Sequence, residues 1–463
     1  MQSFNLDIIG QPPNLHIYTQ LCVCFSVAND SDATRQAAAD TLAQGLKKLA
    51  QRVPWLSGKI IHEPSSEAGN SGVYKIVPWA NAPPLVIRDL RGGPSAPTME
   101  ALQRGNFPMQ LLDEALIAPY MTIPGGTAGS KPDDPTAVFA AQMSHIDGGM
   151  LLTFVTQHQV MDLAGQIQIM RLLSMVCRGE DIPDSEAELA NSDRSDIVPP
   201  LGDDEPEPIE QLSRQTVKPS PPPSAPTDTA TVVSVWASFS FSRESLAALK
   251  AAALETGTSP KVSTDDALTA FIWQSITRAR NHRLQNDQDP NTPKAEVTLG
   301  RAVDSRRYLG IPKEYPGLCN NMVYLTHPVQ ETIDMPLGKM ASELRIAVDP
   351  AMSQIGLYTR ALVALLRRTP DKGVVSMGAN ISPSRDFMLS SWAGADCYGL
   401  DFGMGMGTPV AVRRPRFYPV EGLGYLLPRH PSGEIVLAIC LREGDMAVLR
   451  GDGKFGRYAV YVG

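Results

Sequence analysis

The chain has 463 residues and carries 41 basic against 49 acidic side chains, which gives a formal net charge of −8. This length is about three times that of a typical single-core domain, so we expect two domains. Hydrophobic residues make up 43% and charged residues 19%, a composition that excludes a disordered chain and indicates a globular protein. The acidic balance argues against a protein that binds nucleic-acid phosphates, because such proteins cluster Lys and Arg.

The N-terminal segment and the cysteines set further limits. The first 30 residues lack a basic segment followed by an apolar run and a cleavage site, and no apolar run reaches the roughly 18 residues of a membrane helix. We therefore expect a cytoplasmic protein with no membrane or nucleic-acid partner. Six cysteines without a CxxC pair argue against a zinc site and against a disulfide framework, so no metal is expected.

The first half of the chain alternates strand patterns with helix patterns. In chain order, strands are predicted over 17–27, 59–62, 73–78 and 85–90, a helix over 32–53, a hairpin from 138–146 and 150–157 around Asp147-Gly148-Gly149, and a helix over 163–179.

A proline-rich segment separates this half from the rest. Residues Pro199–Pro226 hold nine of the 39 prolines in 28 positions, which favours a semi-extended polyproline connector over a helix or strand. We therefore divide the chain into a domain over 1–200, a connector over 201–230 and a domain over 231–463.

The second half again mixes strands and helices. Strands are predicted over 231–242, 296–304, 320–329, 387–394, 424–430 and 434–443, and helices over 242–255 and 263–284, the latter with a capping box formed by Ser263 and Asp266. Both halves therefore predict an α/β or mixed α+β fold.

The turn Gln157-His158-Gln159-Val160-Met161-Asp162 follows the predicted hairpin and precedes a helix. A histidine at such an element edge can face a cleft and exchange protons. The same residues also allow a structural interpretation, in which His158 is a hydrogen-bonded, partly buried imidazole and Asp162 is a helix N-cap. The spacing alone does not decide between them.

Two segments together point to a family. The pentad His158 to Asp162 and the segment Asp401–Gly405 (DFGMG) resemble the HxxxD and DFGWG signatures of BAHD-type CoA-dependent acyltransferases. Within that superfamily, the chain resembles the fungal trichothecene 3-O-acetyltransferases over nearly its whole length. The segments that carry this likeness are VPWLSGKI (53–60), DLRGGPSAPT (89–98), VSTDDALTAFIWQS (262–275), RAVDSR (301–306), EYPGLCNNM (314–322) and LSSW (389–392). Met404 stands where plant members have tryptophan.

The resemblance implies both a fold and an activity. It implies two chloramphenicol-acetyltransferase-like domains with an active-site channel between them, and a monomer that transfers acetyl from acetyl-CoA to an alcohol. The implied acceptor is a hydroxyl of a fungal secondary metabolite, such as the 3-hydroxyl of a trichothecene-like sesquiterpenoid. Another alcohol or amine acceptor, hydrolysis, and a non-catalytic metabolite-binding protein on the same scaffold are the alternatives.

The resemblance also implies roles for individual residues. The implied catalytic pair is His158 as general base and Asp162 as its anchor, paired with Arg306. Ser390 and the indole NH of Trp392 are candidates to bind the thioester oxygen, although Trp392 is equally compatible with a core position.

Other predicted sites lie outside this group. By the same resemblance, Asp401, Gly403 and Gly405 support the fold, with Asp401 in a salt bridge. A dinucleotide site at GMGMG is excluded by its GxGxG spacing and by Pro409 where a helix should start.

Two basic segments are candidates to bind the phosphates of CoA. One is the predicted helix start at Lys261, Ser263 and Thr264. The other is the cluster Arg413, Arg414 and Arg416, of which Arg413 and Arg414 are the preferred pair. For each, a solvated or salt-bridged structural surface is the alternative.

Overall fold

A computed structural model describes residues 3–28, 30–124, 136–202, 204–218, 233–257, 261–286 and 295–463. Its strands are β1 (Phe4–Asn5), β2 (Tyr18–Ser26), β3 (Gly58–Glu63), β4 (Val73–Pro78), β5 (Leu85–Asp89), β6 (Thr136–Ala137), β7 (Phe139–Ile146), β8 (Gly149–Gln157), β9 (Ser234–Phe241), β10 (Glu296–Asp304), β11 (Asn320–Pro328), β12 (Phe387–Ser391), β13 (Ala411–Arg413), β14 (Leu423–Leu426), β15 (Ile435–Arg442) and β16 (Val460–Tyr461).

The helices alternate with these strands. They are α1 (Asp32–Arg52), α2 (Met99–Arg104), α3 (Glu114–Ile117), α4 (Leu163–Cys177), α5 (Asp184–Ala190), α6 (Ile209–Arg214), α7 (Arg243–Thr256), α8 (Thr264–Asn286), α9 (Arg306–Leu309), α10 (Val329–Asp334), α11 (Leu337–Val348), α12 (Ile355–Arg368), α13 (Glu443–Gly451) and α14 (Gly453–Gly456), with 3₁₀ turns at Ile8–Gly10, Pro13–Leu15, Pro54–Ser57, Met109–Leu111 and Lys372–Val374. The predicted mixed α/β class is confirmed.

Three sheets organise these elements. A five-stranded sheet has the order β13-β2-β8-β7-β5, a seven-stranded sheet has the order β11-β10-β12-β14-β15-β9-β16, and a four-stranded sheet has the order β1-β4-β3-β6. In the seven-stranded sheet, β12 runs parallel to both β10 and β14. Within the described residues, no helix is long and apolar enough to cross a membrane.

One strand from the second half joins the sheet of the first half. Strand β13 pairs antiparallel with β2, with Val412 opposite Val23 and Arg413 opposite Cys22. The chain therefore returns into its N-terminal sheet more than 380 positions after leaving β2, and the two halves interlock. The division into domains at 201–230 stays a prediction. Strand β13 lies after this division in the sequence but pairs with β2, which lies before it.

The hairpin is the centre of the N-terminal core. Every residue of β7 and β8 is buried, and Gly148 makes the turn between them with φ 78°. Helices α1 and α4 cover one face of this sheet and approach closely, since a Cβ on Gly45 would lie 2.2 Å from the sulfur of Cys177. The end of β8, where His158 follows, is therefore fixed by a densely packed core.

The elements predicted from periodicity are largely confirmed. Strands β2 to β5, the β7–β8 hairpin and helices α1, α4, α7 and α8 lie where the sequence pattern placed them. The predicted capping box is present: the Ser263 amide donates to Asp266 Oδ2 at 2.9 Å, and the Asp266 amide donates to Ser263 Oγ at 3.1 Å. Helices α11 and α12 were not predicted.

The connector prediction is wrong for part of its length. Residues Ile209–Arg214 form helix α6, because Leu212 supplies an apolar anchor and Pro208 can precede a helix without loss of a hydrogen bond. Leu212 is buried in a cluster with Leu362 and Leu366 of α12. Residues 203 and 219–232 lie outside the described part of the chain.

Candidate active site

His158 lies in the turn between β8 and α4. Its amide donates to the carbonyl of Ile17 at 2.8 Å, and its ring Nδ1 lies 3.3 Å from the carbonyl oxygen of Met161. A carbonyl can only accept, so Nδ1 carries the proton and the lone pair of neutral imidazole lies on Nε2. The residue is partly exposed, and Nε2 is the ring nitrogen whose lone pair can accept a substrate proton.

The surroundings of His158 favour its neutral form. Burial lowers the pKa of His158 below 6.5, and the positive charge of Arg414 lowers it further, against the opposing effects of the Met161 carbonyl and of Asp162. A histidine with a lowered pKa is unprotonated at neutral pH and can act as a general base.

Asp162 and Arg306 form a buried, two-pronged ion pair. Arg306 Nη1 lies 2.9 Å from Asp162 Oδ2, and Nη2 lies 2.9 Å from Oδ1. Asp162 also accepts the amide of Gly165 on Oδ1 and that of Cys319 on Oδ2, each at 2.9 Å. The implied pairing with Arg306 is therefore present, and Asp162 is at the same time the N-cap of α4, so the two interpretations coexist.

Arg306 binds the loop of the second half that faces this turn. Its Nε donates to the carbonyl of Tyr315 at 2.9 Å and its Nη2 to that of Gly317 at 2.6 Å, while Nη1 also bonds to Asp304 at 2.8 Å. A Cβ on Gly165 would lie 2.2 Å from the carbonyl oxygen of Pro316. The His158 turn is thus held against residues 315–319, where the two halves meet.

Ser390 and Trp392 lie at the end of β12 in contact with each other. The indole Nε1 of Trp392 donates to Ser390 Oγ at 3.0 Å, so the indole proton is engaged and the hydroxyl proton of Ser390 is the one that can turn to a ligand. Trp392 is 3% exposed and packs on Tyr425, with ring centroids 4.9 Å apart. The core interpretation of Trp392 therefore holds alongside any role in binding the thioester.

Arg414 is a buried cation beside these rings. It is 3% exposed, and its guanidinium carbon lies 4.8 Å from the ring centroid of Tyr425, 4.3 Å from that of Phe417 and 5.8 Å from that of Trp392. Its positive charge also lowers the pKa of His158. Arg414 therefore contacts the rings around Trp392 and at the same time acts on the histidine.

Two of the three arginines, Arg413 and Arg414, are buried, which argues against their predicted role with CoA phosphates, whereas Arg416 is exposed. Arg413 is 5% exposed and donates to the carbonyls of Phe107 at 3.2 Å and Asn106 at 3.1 Å. Arg416 pairs with Asp113. These side chains therefore stabilise the crossing around β13, which sequence spacing could not show.

The other predicted CoA segment lies at the start of α8. Lys261 is exposed, but the Ser263 hydroxyl donates to Asp266 at 2.6 Å. Asp266 in turn is paired with Arg301 and Arg345, so its negative charge is balanced by two cations. Ser263 Oγ accepts from Arg345 of α11, and the neighbouring Asp265 pairs with Arg301 of β10 and accepts the hydroxyl of Ser391 at the end of β12.

The DFGMG segment supports the far end of α4. Gly403 and Gly405 adopt φ of 65° and 76°, and a Cβ on Gly403 would lie 2.8 Å from the carbonyl oxygen of Cys177. The expected salt bridge of Asp401 is wrong for the described residues: its carboxylate accepts the Gly403 amide at 2.8 Å instead, and its carbonyl accepts from Arg178 at 2.7 Å. The segment therefore packs against the helix whose N-cap is Asp162.

Sequence reasoning missed an ion pair, one member of which bonds to the same turn. Arg194 donates to the carbonyl of Val160 at 2.7 Å, and Asp7 pairs with Arg194. Neither residue belongs to a motif. No group of three or more His, Cys, Asp or Glu side chains suited to a metal occurs among the described residues.

The fold and this site define an acyltransferase. Residues 17–177 match the trichothecene 3-O-acetyltransferase-like N-terminal domain, and residues 126–455 match the Transferase family. The chain is 44% identical to the O-acetyltransferase dmxR13 of Cryptosporiopsis sp., over 99% of this chain and 98% of that protein. It is 43% identical to the trichothecene 3-O-acetyltransferase TRI101 of Fusarium sporotrichioides, over 100% and 98%. The chain belongs to the Transferase family, the BAHD-type acyltransferases.

Solved structures agree with this assignment. The crystal structure of F. graminearum TRI101 with coenzyme A and T-2 mycotoxin superimposes with a TM-score of 0.91 at 40% identity and covers all of both chains. Vinorine synthase has a TM-score of 0.65 at 15% identity, over 97% of this chain and 92% of its own, which supports the fold alone. The predicted two-domain, chloramphenicol-acetyltransferase-like fold is confirmed.

The buried ion pair yields a stability prediction. Replacing Arg306 in the variant Arg306→Met leaves Asp162 charged and without its cation, which we expect to lower the free energy of unfolding by about 3–5 kcal/mol. The matched control is Arg367→Met, whose pair with Asp196 at 2.9 Å is largely exposed, and for which we expect no resolvable change. Urea unfolding measures both, and equal losses in the two variants would contradict the prediction.

Proposed function

We propose that the protein transfers the acetyl group of acetyl-CoA to a hydroxyl group of a fungal secondary metabolite, with His158 as general base. The observation that carries this proposal is the orientation of the imidazole, with Nδ1 turned to the Met161 carbonyl and Nε2 turned away from it. The best acceptor candidate is the 3-hydroxyl of a trichothecene-like sesquiterpenoid, because the chain is 43% identical to a trichothecene 3-O-acetyltransferase over its full length.

Neutral His158 can carry out both proton transfers of the reaction. Neutral Nε2 accepts the proton of the acceptor hydroxyl as its oxygen attacks the thioester carbonyl. The tetrahedral intermediate then expels the CoA thiolate, to which the imidazolium returns the proton, so the histidine ends as it began. Asp162 takes no proton in this scheme; its charge is matched by Arg306, and it holds the turn in place.

Two further groups support the transition state in this proposal. The Ser390 hydroxyl, which accepts from the Trp392 indole, donates to the developing oxyanion. For the phosphates of CoA, we retain the exposed Lys261 and the start of α8 at Ser263 and Thr264, because Arg413 is buried and already bonded to backbone carbonyls.

A different alcohol is the second candidate acceptor. A relative at 44% identity is named an O-acetyltransferase without reference to a trichothecene, and the O-acyltransferase pigD of Monascus ruber is 34% identical over 99% of this chain. His158 and Asp162, which act on the hydroxyl proton and on the turn, do not distinguish between alcohols. We further propose a cytoplasmic monomer, which fractionation and gel filtration would test.

The acyl-transfer assignment is tested with purified protein, acetyl-CoA and a panel of alcohols that includes a trichothecene. We expect wild type to release free thiol and acylated product in equal amounts, and His158→Ala to lose at least about 100-fold in kcat because the base is gone. Thiol release and mass spectrometry of the product provide the measurement, with His430→Ala as the control, because His430 is a half-buried histidine in the turn between β14 and β15.

Three other results would contradict the base assignment or the acyl-transfer assignment. Unchanged turnover in His158→Ala would refute the base assignment. Thiol release without acylated product would indicate hydrolysis, and binding of acetyl-CoA without thiol release in wild type would indicate a sequestering protein.

The lowered pKa of His158 predicts the pH dependence of the reaction. Because the neutral imidazole is the active form, kcat/KM should be constant near pH 7 and fall tenfold per pH unit below a midpoint that lies under 6.5. Arg414 helps to lower this pKa, so Arg414→Gln should move the midpoint upward. A pH profile of both proteins measures the shift, and a midpoint above 6.5 in wild type would contradict the prediction.

A further inference from the structure

A second buried ion pair lies against the turn that carries His158. Arg194 Nη1 is 3.2 Å from Asp7 Oδ2, and the two residues are 5% and 2% exposed. Asp7 precedes the first 3₁₀ turn of the chain, and Arg194 follows α5, so they are far apart in sequence. Two buried charges are costly unless each is paired and hydrogen-bonded. The other hydrogen bonds of Arg194 and Asp7 therefore indicate what this pair holds in place.

Arg194 holds the backbone between His158 and Asp162. The same Nη1 that meets Asp7 donates to the carbonyl oxygen of Val160 at 2.7 Å. The peptide unit formed by this carbonyl is followed directly by the Met161 carbonyl, which lies 3.3 Å from Nδ1 of the histidine. A rotation of the Val160 peptide would therefore move the group that orients the imidazole.

The guanidinium of Arg194 is itself fixed in place. It lies over the ring of Trp55, with its central carbon 4.3 Å from the ring centroid. Trp55 is 1% exposed, and its indole NH donates to the carbonyl of Ala190 at 2.9 Å. The arginine therefore has a rigid stacking partner on one side and the Val160 carbonyl at its edge.

Asp7 connects this pair to the loop bound by Arg306. Its Oδ1 accepts the hydroxyl of Tyr315, and its Oδ2 accepts the amide of Leu318 at 3.1 Å. Arg306 binds the carbonyls of the same loop at Tyr315 and Gly317. The loop 315–319 is therefore held on both sides by charges, with the His158 turn bonded to each ion pair.

The N-terminal segment around Gly10 packs directly against the turn that carries His158. A Cβ on Gly10 would lie 2.0 Å from the carbonyl oxygen of Gln159, and the Gln159 amide Nε2 donates to the Gly10 carbonyl at 3.0 Å. Because the two backbones are in direct contact, a shift of Asp7 would be transmitted to the residue next to His158.

We propose that Asp7 and Arg194 are positioning residues for catalysis, which orient the His158 imidazole through the Val160 carbonyl. This inference rests on the proposed role of His158 as base. Neither side chain is placed against the reacting atoms, so they act through the turn: with the pair intact, Nε2 points to the acceptor hydroxyl, and without it the imidazole samples other orientations.

The experiment compares kcat, KM for acetyl-CoA and thermal stability in Arg194→Met, Arg194→Lys, Asp7→Asn and His158→Ala. Misplacing a catalytic group by about 1 Å costs on the order of 100-fold in rate, so we expect Arg194→Met and Asp7→Asn to lower kcat about 10- to 100-fold with KM within about twofold of wild type. Arg194→Lys keeps a cationic donor for Val160 and should recover most of the lost kcat.

The matched control is Asp445→Asn. Asp445 is also a carboxylate that is 1% exposed and paired with an arginine, Arg283, at 2.7 Å, but it joins α13 to α8 in the second half. We expect this variant to lose stability as the Asp7 and Arg194 variants do, and to keep its kcat when measured well below its melting temperature.

The outcomes test the positioning role of Asp7 and Arg194 separately from the role of His158 as base. If His158→Ala is inactive while Arg194→Met and the milder Asp7→Asn both turn over like wild type, the positioning role is wrong. An equal loss of kcat in Asp445→Asn would also overturn it, because the effect would then be one of stability. If His158→Ala itself retains wild-type kcat, the proposed function fails, whatever the other variants do.

Discussion

The ion pair between Asp162 and Arg306 is the interaction on which the site depends. Two charges that are 4% and 1% exposed are tolerated because every oxygen of the carboxylate is used: two bonds come from the guanidinium, one from the Gly165 amide and one from the Cys319 amide. A buried pair of this kind is not a large source of stability. Its effect is to fix where a helix start of the first half meets a loop of the second.

The state of His158 follows from this anchoring. The tight turn forces Nδ1 toward the Met161 carbonyl, and the surrounding core desolvates the ring, which lowers its pKa. A buried arginine in the same region, Arg414, acts in the same direction. The base is therefore neutral and oriented before any substrate arrives, so little reorganisation is needed during proton transfer.

Much of the fold could be predicted from the sequence, because its elements have local signals. The β7–β8 hairpin has two apolar runs around an Asp-Gly-Gly turn, and α8 has a capping box. The His158 turn was found from its place after a buried strand, and Arg306 only through the family resemblance. Helix α6 has no clear sequence signal because prolines dominate its surroundings, and of its residues only Leu212 belongs to the apolar core cluster.

The burial and pairing of the charged side chains could not be predicted in the same way. Arg413 and Arg414 look like a solvent-facing basic run, yet β13 carries them into a sheet begun by β2, so both are buried. Asp7 and Arg194 carry no motif, and their contacts with Val160 and the loop 315–319 exist only after the whole chain is folded. Burial and pairing of charge are set by long-range packing, which residue spacing does not encode.

The proposed catalysis depends on the tautomer of His158, which can be measured directly. Nitrogen NMR of protein labelled in its seven histidines, with His158 assigned through His158→Ala, reports which ring nitrogen is protonated at pH 7. We expect a proton on Nδ1 and a lone pair on Nε2. A proton on Nε2, or a doubly protonated ring, would contradict this expectation.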